Sequence, residues 1–122
     1  MLKPDVLRDK RDFSALYNKG RSTGGKYVVL FFRKNRLGFN RKAFLASKKV
    51  GNSVKRNRAR RLMRESYRGL ESSLLQGYDI LFIARNTITT GEAKCRDVGA
   101  SMRSLLSKNG LLSGARPPAA RV

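Results

Sequence analysis

The chain has 122 residues, enough for one domain with a single modest core. Its 28 Lys and Arg against 8 Asp and Glu give a formal net charge of +20. That imbalance serves no enzyme of neutral metabolites and points to nucleic acid ahead of an anionic membrane surface. Histidine is absent, and the carboxylates (Asp5, Asp9, Asp12, Glu65, Glu71, Asp79, Glu92, Asp97) form no DxD or ExE pair. The commonest general base and a ready magnesium site are therefore missing. Cys95 is the sole cysteine, so no internal disulfide forms and no metal-ligand cluster is visible. No apolar run approaches the ~18 residues of a membrane span, and the N-terminus lacks the apolar core of a signal peptide. A reducing cytoplasm and no membrane are the expectation.

In chain order, residues 1–8 are polar and read as mobile. Asp9 is placed to cap a short helix, Asp12 adds a second acid to its first turn, and Gly20 ends it after Lys19. Phe13, Leu16 and Tyr17 share one side of that helix. Leu16 belongs to the core, while Phe13 and Tyr17 suit either core packing or stacking on nucleic-acid bases. Residues 21–26 read as a Gly-rich turn. Residues 27–33 (YVVLFFR) form a strand with Tyr27, Val29 and Phe31 on one face and Val28, Leu30 and Phe32 on the other. Both faces are apolar, so both need cover. Residues 34–41 read as a basic hairpin loop. Residues 42–50 make a second strand, with Ala43, Leu45, Ser47 and Lys49 facing one way and Phe44, Ala46 and Lys48 the other.

Residues 48–68 (KKVGNSVKRNRARRLMRESYR) hold nine cations, Lys48, Lys49, Lys55, Arg56, Arg58, Arg60, Arg61, Arg64 and Arg68, against Glu65 alone. Ala59, Leu62, Met63, Ser66, Tyr67, Leu70 and Leu74 recur at steps of three and four, which predicts a helix running to about Leu75 with one buried face. Asn57, Arg60, Arg61, Arg64 and Arg68 fall opposite, and Asn52 or Ser53 caps the start. Cations at the positive end of a helix, and like charges four residues apart, both oppose folding. An external polyanion relieves that repulsion, and helix-end amides beside arginine forks suit phosphate.

Residues 78–84 (YDILFIA) suit a central strand buried on both sides. Residues 86–91 read as a loop. Residues 92–108 form a last helix with Cys95, Val98, Met102, Leu105 and Leu106 in the core, Cys95 serving as a small buried hydrophobe. Residues 113–122 form a flexible tail behind a single domain, residues 1–112. The order is αββαβα, an α+β fold with three helices on a small central sheet. It contains a βαβ unit if strands 42–50 and 78–84 are parallel.

VGNSVKRNRARRLMRE (residues 50–65), RDFSALYNKGR (11–21) and the 78–85 strand with its following helix resemble the protein subunit of bacterial ribonuclease P. The resemblance covers about residues 7–110. It implies a left-handed βαβ crossover, against the usual right-handed preference. It further implies an accessory subunit, expected as a single copy, of a ribonucleoprotein endonuclease whose RNA holds the catalytic Mg²⁺ and removes the 5′ leader of precursor tRNA. No catalytic residue and no metal site are then expected in the protein itself, nor any small-molecule substrate. By position, Lys55, Arg56, Asn57, Arg58, Arg60, Arg61, Arg64 and, extending the basic face, Arg68 contact the ribonuclease P RNA. Phe13, Tyr17, Phe31, Leu45, Ser47 and Lys49, with Arg56 at the rim, line a cleft for the single-stranded leader of precursor tRNA. Leu45 stands where relatives often carry a small polar residue, making that contact more apolar. The alternatives from charge and size alone are a ribosomal or other structural RNA-binding protein, a nuclease with its own active site, and a DNA-binding helix-turn-helix.

Overall fold

The computed structural model describes residues 5–90 and 93–112. Three layers stack around one sheet. Helix α1 (Lys10–Lys19) covers one face, and α2 (Ser53–Arg68) and α4 (Cys95–Lys108) cover the other. The sheet runs β1-β2-β4-β3, with β1 at Arg21–Gly24, β2 at Val28–Lys34, β3 at Arg41–Leu45 and β4 at Tyr78–Ala84. β4 is central, antiparallel to β2 and parallel to β3, so β3-α2-β4 is the βαβ unit that the strand order allowed. A short helix α3 (Thr87–Thr90) links β4 to α4.

Alternation along the strands sorts the two cores. Leu30 pairs with Phe82, which pairs with Phe44. This row, with Val28, Phe32, Ile80 and Ala84, packs against Ala59, Leu62, Met63 and Tyr67 of α2 and Val98, Met102, Leu105 and Leu106 of α4. The opposite row, Phe31, Leu81 and Ala43, meets Leu16 of α1 and Leu7. β2 is thus covered on both faces, as its apolar alternation demands. No helix among the described residues is long and apolar enough to cross a membrane.

Several boundaries differ from the expectation. Residues 21–24 form a strand rather than a turn, held by main-chain pairing to β2 from Arg21↔Phe32 to Gly24↔Val29. The element order therefore carries an extra strand. Residues 34–41 do not close a hairpin, because β4 lies between β2 and β3. β3 stops at Leu45, and residues 47–50 turn, with the Val50 N–H donating to the Ser47 carbonyl at 3.0 Å. α2 ends at Arg68, and Leu70 and Leu74 stay buried through a 3₁₀ turn, Glu71–Ser73, that prolongs its inner face. Residues 87–90 are helical rather than loop.

Residues 5–7 are also not loose. Lys42 N–H donates to the Asp5 carbonyl at 2.9 Å and Leu7 N–H to the Lys42 carbonyl at 2.9 Å, so this segment lies along the outer edge of β3. Cys95 is exposed rather than buried, and Ala93 fills the core beside it. Residues 1–4, 91–92 and the expected tail at 113–122 lie outside the described residues.

Candidate nucleic-acid interface

Asn52 caps α2, its side chain accepting the Lys55 backbone N–H at 3.0 Å, and no acid stands in the first turn. The inner face is apolar and buried, which forces the cations outward. Lys55, Arg58, Arg61, Arg64 and Arg68 are exposed, with Arg56 and Arg60 partly so. Among the described residues every ion pair draws its cation from Arg11, Arg41 or Lys42, and these engage Asp5, Asp9, Asp12, Glu71 and Asp79. Among the described residues no cation of α2 reaches a carboxylate. Its polar bonds are to neutral groups: Arg60 donates to Asn57 Oδ1 at 2.6 Å, and Arg58 to the Ala93 carbonyl at 3.4 Å.

The basic helix presents two flanks. On one, Lys55 and Arg58 join Lys94 around a hollow of about 340 Å³ floored by Ile88 and Thr89. On the other, Arg64 and Arg68 border a hollow of about 270 Å³ with Lys42 and Tyr67. Arg60 and Arg61 lie between the two flanks in sequence, and Asn57 falls between Lys55 and Arg58.

The face of the sheet under α1 is built in rows set by strand register. Val29 pairs with Ile83, and Ile83 with Leu45. The next row is Phe31, Leu81 and Ala43, and the last is Arg33, Asp79 and Arg41. α1 crosses this face, with Asp12 near β3 and Tyr17 near β2. Arg41 Nη1 donates to Asp12 at 3.1 Å, and the Tyr17 ring meets Phe31 edge-on at 5.2 Å between centroids. Gly20 closes the helix in extended backbone, and only glycine fits there, since a Cβ would lie 2.5 Å from the Leu16 carbonyl oxygen.

Four of the expected cleft residues line two hollows that share no lining residue, while Tyr17 and Phe31 meet each other outside both. Phe13 and Leu45 line one of about 310 Å³ together with Val6, Leu7, Lys42 and Arg64. Ser47 and Lys49 line another of about 750 Å³ with Val29, Ile83, Arg85 and Asn86. Tyr17 is 47% exposed, while Phe13 and Phe31 are half-buried, so aromatic edges remain available to a ligand. Arg56 is half-buried in the first turn of α2 and lines neither hollow. Val6, Leu7, Val29, Ile83, Arg85 and Asn86 were not anticipated. Period-two counting from Leu81 through Ile83 to Arg85 contains the signal for part of them.

Ionisation follows the same geometry. Asp9 is held below the usual carboxylate range by the Arg11 backbone N–H it caps, and next by the Arg11 guanidinium. Burial works against the charge on Lys42, yet bonds to Asp5 and Glu71 outweigh it and raise its pKa. Desolvation first, and then the nearby Glu71 and Asp5, push the Tyr67 phenol upward. Its hydroxyl is buried with no hydrogen-bond partner among the described residues.

The sequence model of the family described as Ribonuclease P matches residues 1–110. The chain is 41% identical over 108 residues to the ribonuclease P protein component of Thermoanaerobacter sp. strain X514, covering 88% of this chain and 91% of that one. It is 40% identical over 111 residues to the counterpart from Clostridium botulinum strain Loch Maree, covering 90% and 98%. Among solved structures, the RNase P protein of Staphylococcus aureus superposes with a TM-score of 0.79 at 26% identity, covering 90% of this chain and 99% of that one. The Thermotoga maritima RNase P protein gives 0.76 at 28%, covering 84% and 96%. A match along nearly the whole domain, agreeing in both sequence and fold, makes this chain a member of the ribonuclease P protein family.

Proposed function

We propose that the chain is the protein subunit of a ribonucleoprotein that matures the 5′ ends of tRNA in the cytoplasm, binding the catalytic RNA through α2 and the single-stranded leader through the α1 face of the sheet. The observation that carries this reading is the run of α2 cations with no carboxylate partner among the described residues. RNA phosphate supplies the missing counter-charge, and the contact weakens with salt as counterions are released. Tyr17, Phe31 and Phe13 offer edges and faces on which unpaired bases stack, and Lys49 and Arg85 stand ready for the leader backbone. Stacking of this kind reads no base edges, so the leader contact is tolerant of sequence.

Hydrolysis belongs to the RNA in this reading, with Mg²⁺ held there. Five of the protein's carboxylates are engaged by Arg11, Arg41 and Lys42 as structural partners, which makes them a poor donor set for a metal. The chain contributes by capturing precursor tRNA in preference to the mature product and by aligning it, one copy of protein per RNA.

Reconstitution with a bacterial ribonuclease P RNA at near-physiological Mg²⁺ tests both surfaces. Arg60→Ala with Arg64→Ala weakens assembly and lowers the salt slope by about two. Phe13→Ala leaves assembly intact and reduces precursor-over-mature discrimination. Shortening the leader lowers affinity for the wild-type complex; indifference to leader length would instead favour a structural RNA-binding role. Cleavage of precursor tRNA by the protein alone would overturn delegation to RNA.

A further inference from the structure

The two margins of the sheet end differently. Residues 5–7 run along the outer side of β3, whereas β1 pairs with β2 alone among the described residues. β1 and β2 form a hairpin turned by Lys26 and Tyr27, in which the Gly25 N–H donates to the Val28 carbonyl at 2.8 Å. In antiparallel pairing, residues that exchange bonds alternate with residues that do not. Counting back from Gly25, Thr23 and Arg21 turn their amides to β2, and Ser22 and Gly24 turn theirs outward. The hairpin is pinned on its α4 side. Thr87 Oγ1 donates to the Lys26 carbonyl at 2.5 Å, Arg85 Nη1 to the Gly25 carbonyl at 3.0 Å and Thr23 Oγ1 to Asn109 Oδ1 at 3.4 Å. A Cβ at Gly25 would lie 2.9 Å from Leu105 Cδ1, so glycine lets the turn rest on α4.

Between this turn and α4 lies a hollow of about 430 Å³, with Gly24 and Lys26 on one side and Ser101, Ser104 and Lys108 on the other. It shares no lining residue with the four hollows described above. Its one acid, Asp97, already accepts the Lys94 N–H at 2.9 Å. Arg21, Lys26, Arg103 and Lys108 are exposed, and none joins an ion pair among the described residues. An edge strand of this kind is a template for another strand. The outward amides and carbonyls of Ser22 and Gly24 match an extended polypeptide, which both donates and accepts, better than phosphate, which only accepts. A second copy would set Arg21 and Lys26 against their like in a chain of net charge +20. An acidic strand is attracted instead.

We propose that the outer margin of β1 is a docking edge for an acidic, extended segment of a partner protein. That segment adds a strand beside Ser22 and Gly24, and its carboxylates meet Lys26 and Lys108 at the rim of the hollow. The edge stands apart from both RNA surfaces, so the inference goes beyond the ribonucleoprotein reading and does not depend on it.

The probe is an acetylated, amidated heptapeptide of alternating valine and glutamate, with its lysine-for-glutamate counterpart as control, titrated into the isotope-labelled full chain. The Ser22 and Gly24 amide signals are expected to shift with the acidic peptide and not with the basic one. Ser22→Pro removes an outward N–H and leaves the ladder to β2 whole, a position where an edge strand accepts proline. It weakens the acidic peptide by about five- to tenfold. Lys26→Glu with Lys108→Glu leaves the backbone untouched, so it decides the matter if the proline variant is unstable; the preference should pass to the basic peptide. Wild-type affinity in these variants, or shifts confined to the α2 cations, would overturn the docking edge. So would the same Ser22 and Gly24 shifts on deleting residues 113–122 without peptide, because the chain's own tail would then be the occupant. Peptide binding that persists after ribonuclease P RNA is added supports the edge, and displacement by that RNA overturns it while leaving the ribonucleoprotein reading in place.

Discussion

Arg41 on β3 holds the buried carboxylate of Asp79 on β4 through two bonds, Nε to Oδ1 at 2.8 Å and Nη2 to Oδ2 at 2.7 Å. Its remaining nitrogen, Nη1, reaches Asp12 on α1 at 3.1 Å. One guanidinium therefore ties two neighbouring strands to the helix that roofs the cleft. The fork geometry is specific to arginine.

Removing the cation leaves Asp79 charged at 5% exposure with Asn35 as its remaining side-chain partner. Arg41→Met is expected to cost about 3 kcal/mol, and Arg41→Lys to recover only part of it. Asp79→Asn is milder, at about 1–2 kcal/mol, because Arg41 keeps Asp12 and some water. Urea unfolding of the three variants measures the order; equal losses for Arg41→Met and Asp79→Asn would show that the buried charge is not what matters.

Acid should loosen the start of α1. Asp9 is depressed below the ordinary carboxylate value of 3.8 in the folded chain. A depressed acid stabilises above its unfolded pKa, and that contribution disappears as pH falls through the folded one. The Arg11 amide signal should thus titrate with a midpoint below 3.8. Asp9→Asn should keep the cap and abolish the titration.

Neutralising part of α2 should not harm the isolated protein. Arg60→Gln with Arg64→Gln removes like-charge pairs four residues apart, each worth a few tenths of a kcal/mol. Thermal melting at low salt is expected at or slightly above the wild-type midpoint, with the gain fading as salt is added. A clear loss of stability would mean that these arginines make intramolecular contacts beyond Arg60 with Asn57.

Cys95 is exposed in the first turn of α4, with its Sγ 3.5 Å from Ser66 Oγ. Iodoacetamide should alkylate it in the native state without prior unfolding. Cys95→Ala should change stability by less than about 0.5 kcal/mol, the usual scale for surface positions.

The parts of the fold visible in sequence were those whose burial repeats with a period. The inner face of α2, from Ala59 to Tyr67, and the two faces of β2 were readable because each buried residue recurs at the spacing of its element. β1 was not, since Arg21–Gly24 offers no large apolar side chain and is held by backbone pairing along β2, with Thr23 bonded to Asn109 and Arg21 over the Phe32 ring. Spacing overran at Leu70 and Leu74, which are buried after the α-helix has ended. It overran again at Cys95, one turn before Val98 but beyond the rim of the core. Of the site, the α2 cations and the Phe13, Tyr17 and Phe31 aromatics were legible. Residues supplied by Val6, Leu7 and Asn86 needed the tertiary structure, because their elements carry no periodic signal.

The strip of backbone at residues 5–7 has a bearing on solubility. By pairing with Lys42 it blocks the outer margin of β3, and the opposite margin of the sheet is only the four-residue, charged and small-residue β1. Stripped of that cover, β3 would offer unpaired amides and carbonyls to another copy, the starting point for fibril-like stacking. A shortened version lacking residues 1–7 is thus expected to trade a monodisperse solution for one prone to self-association, in spite of its charge.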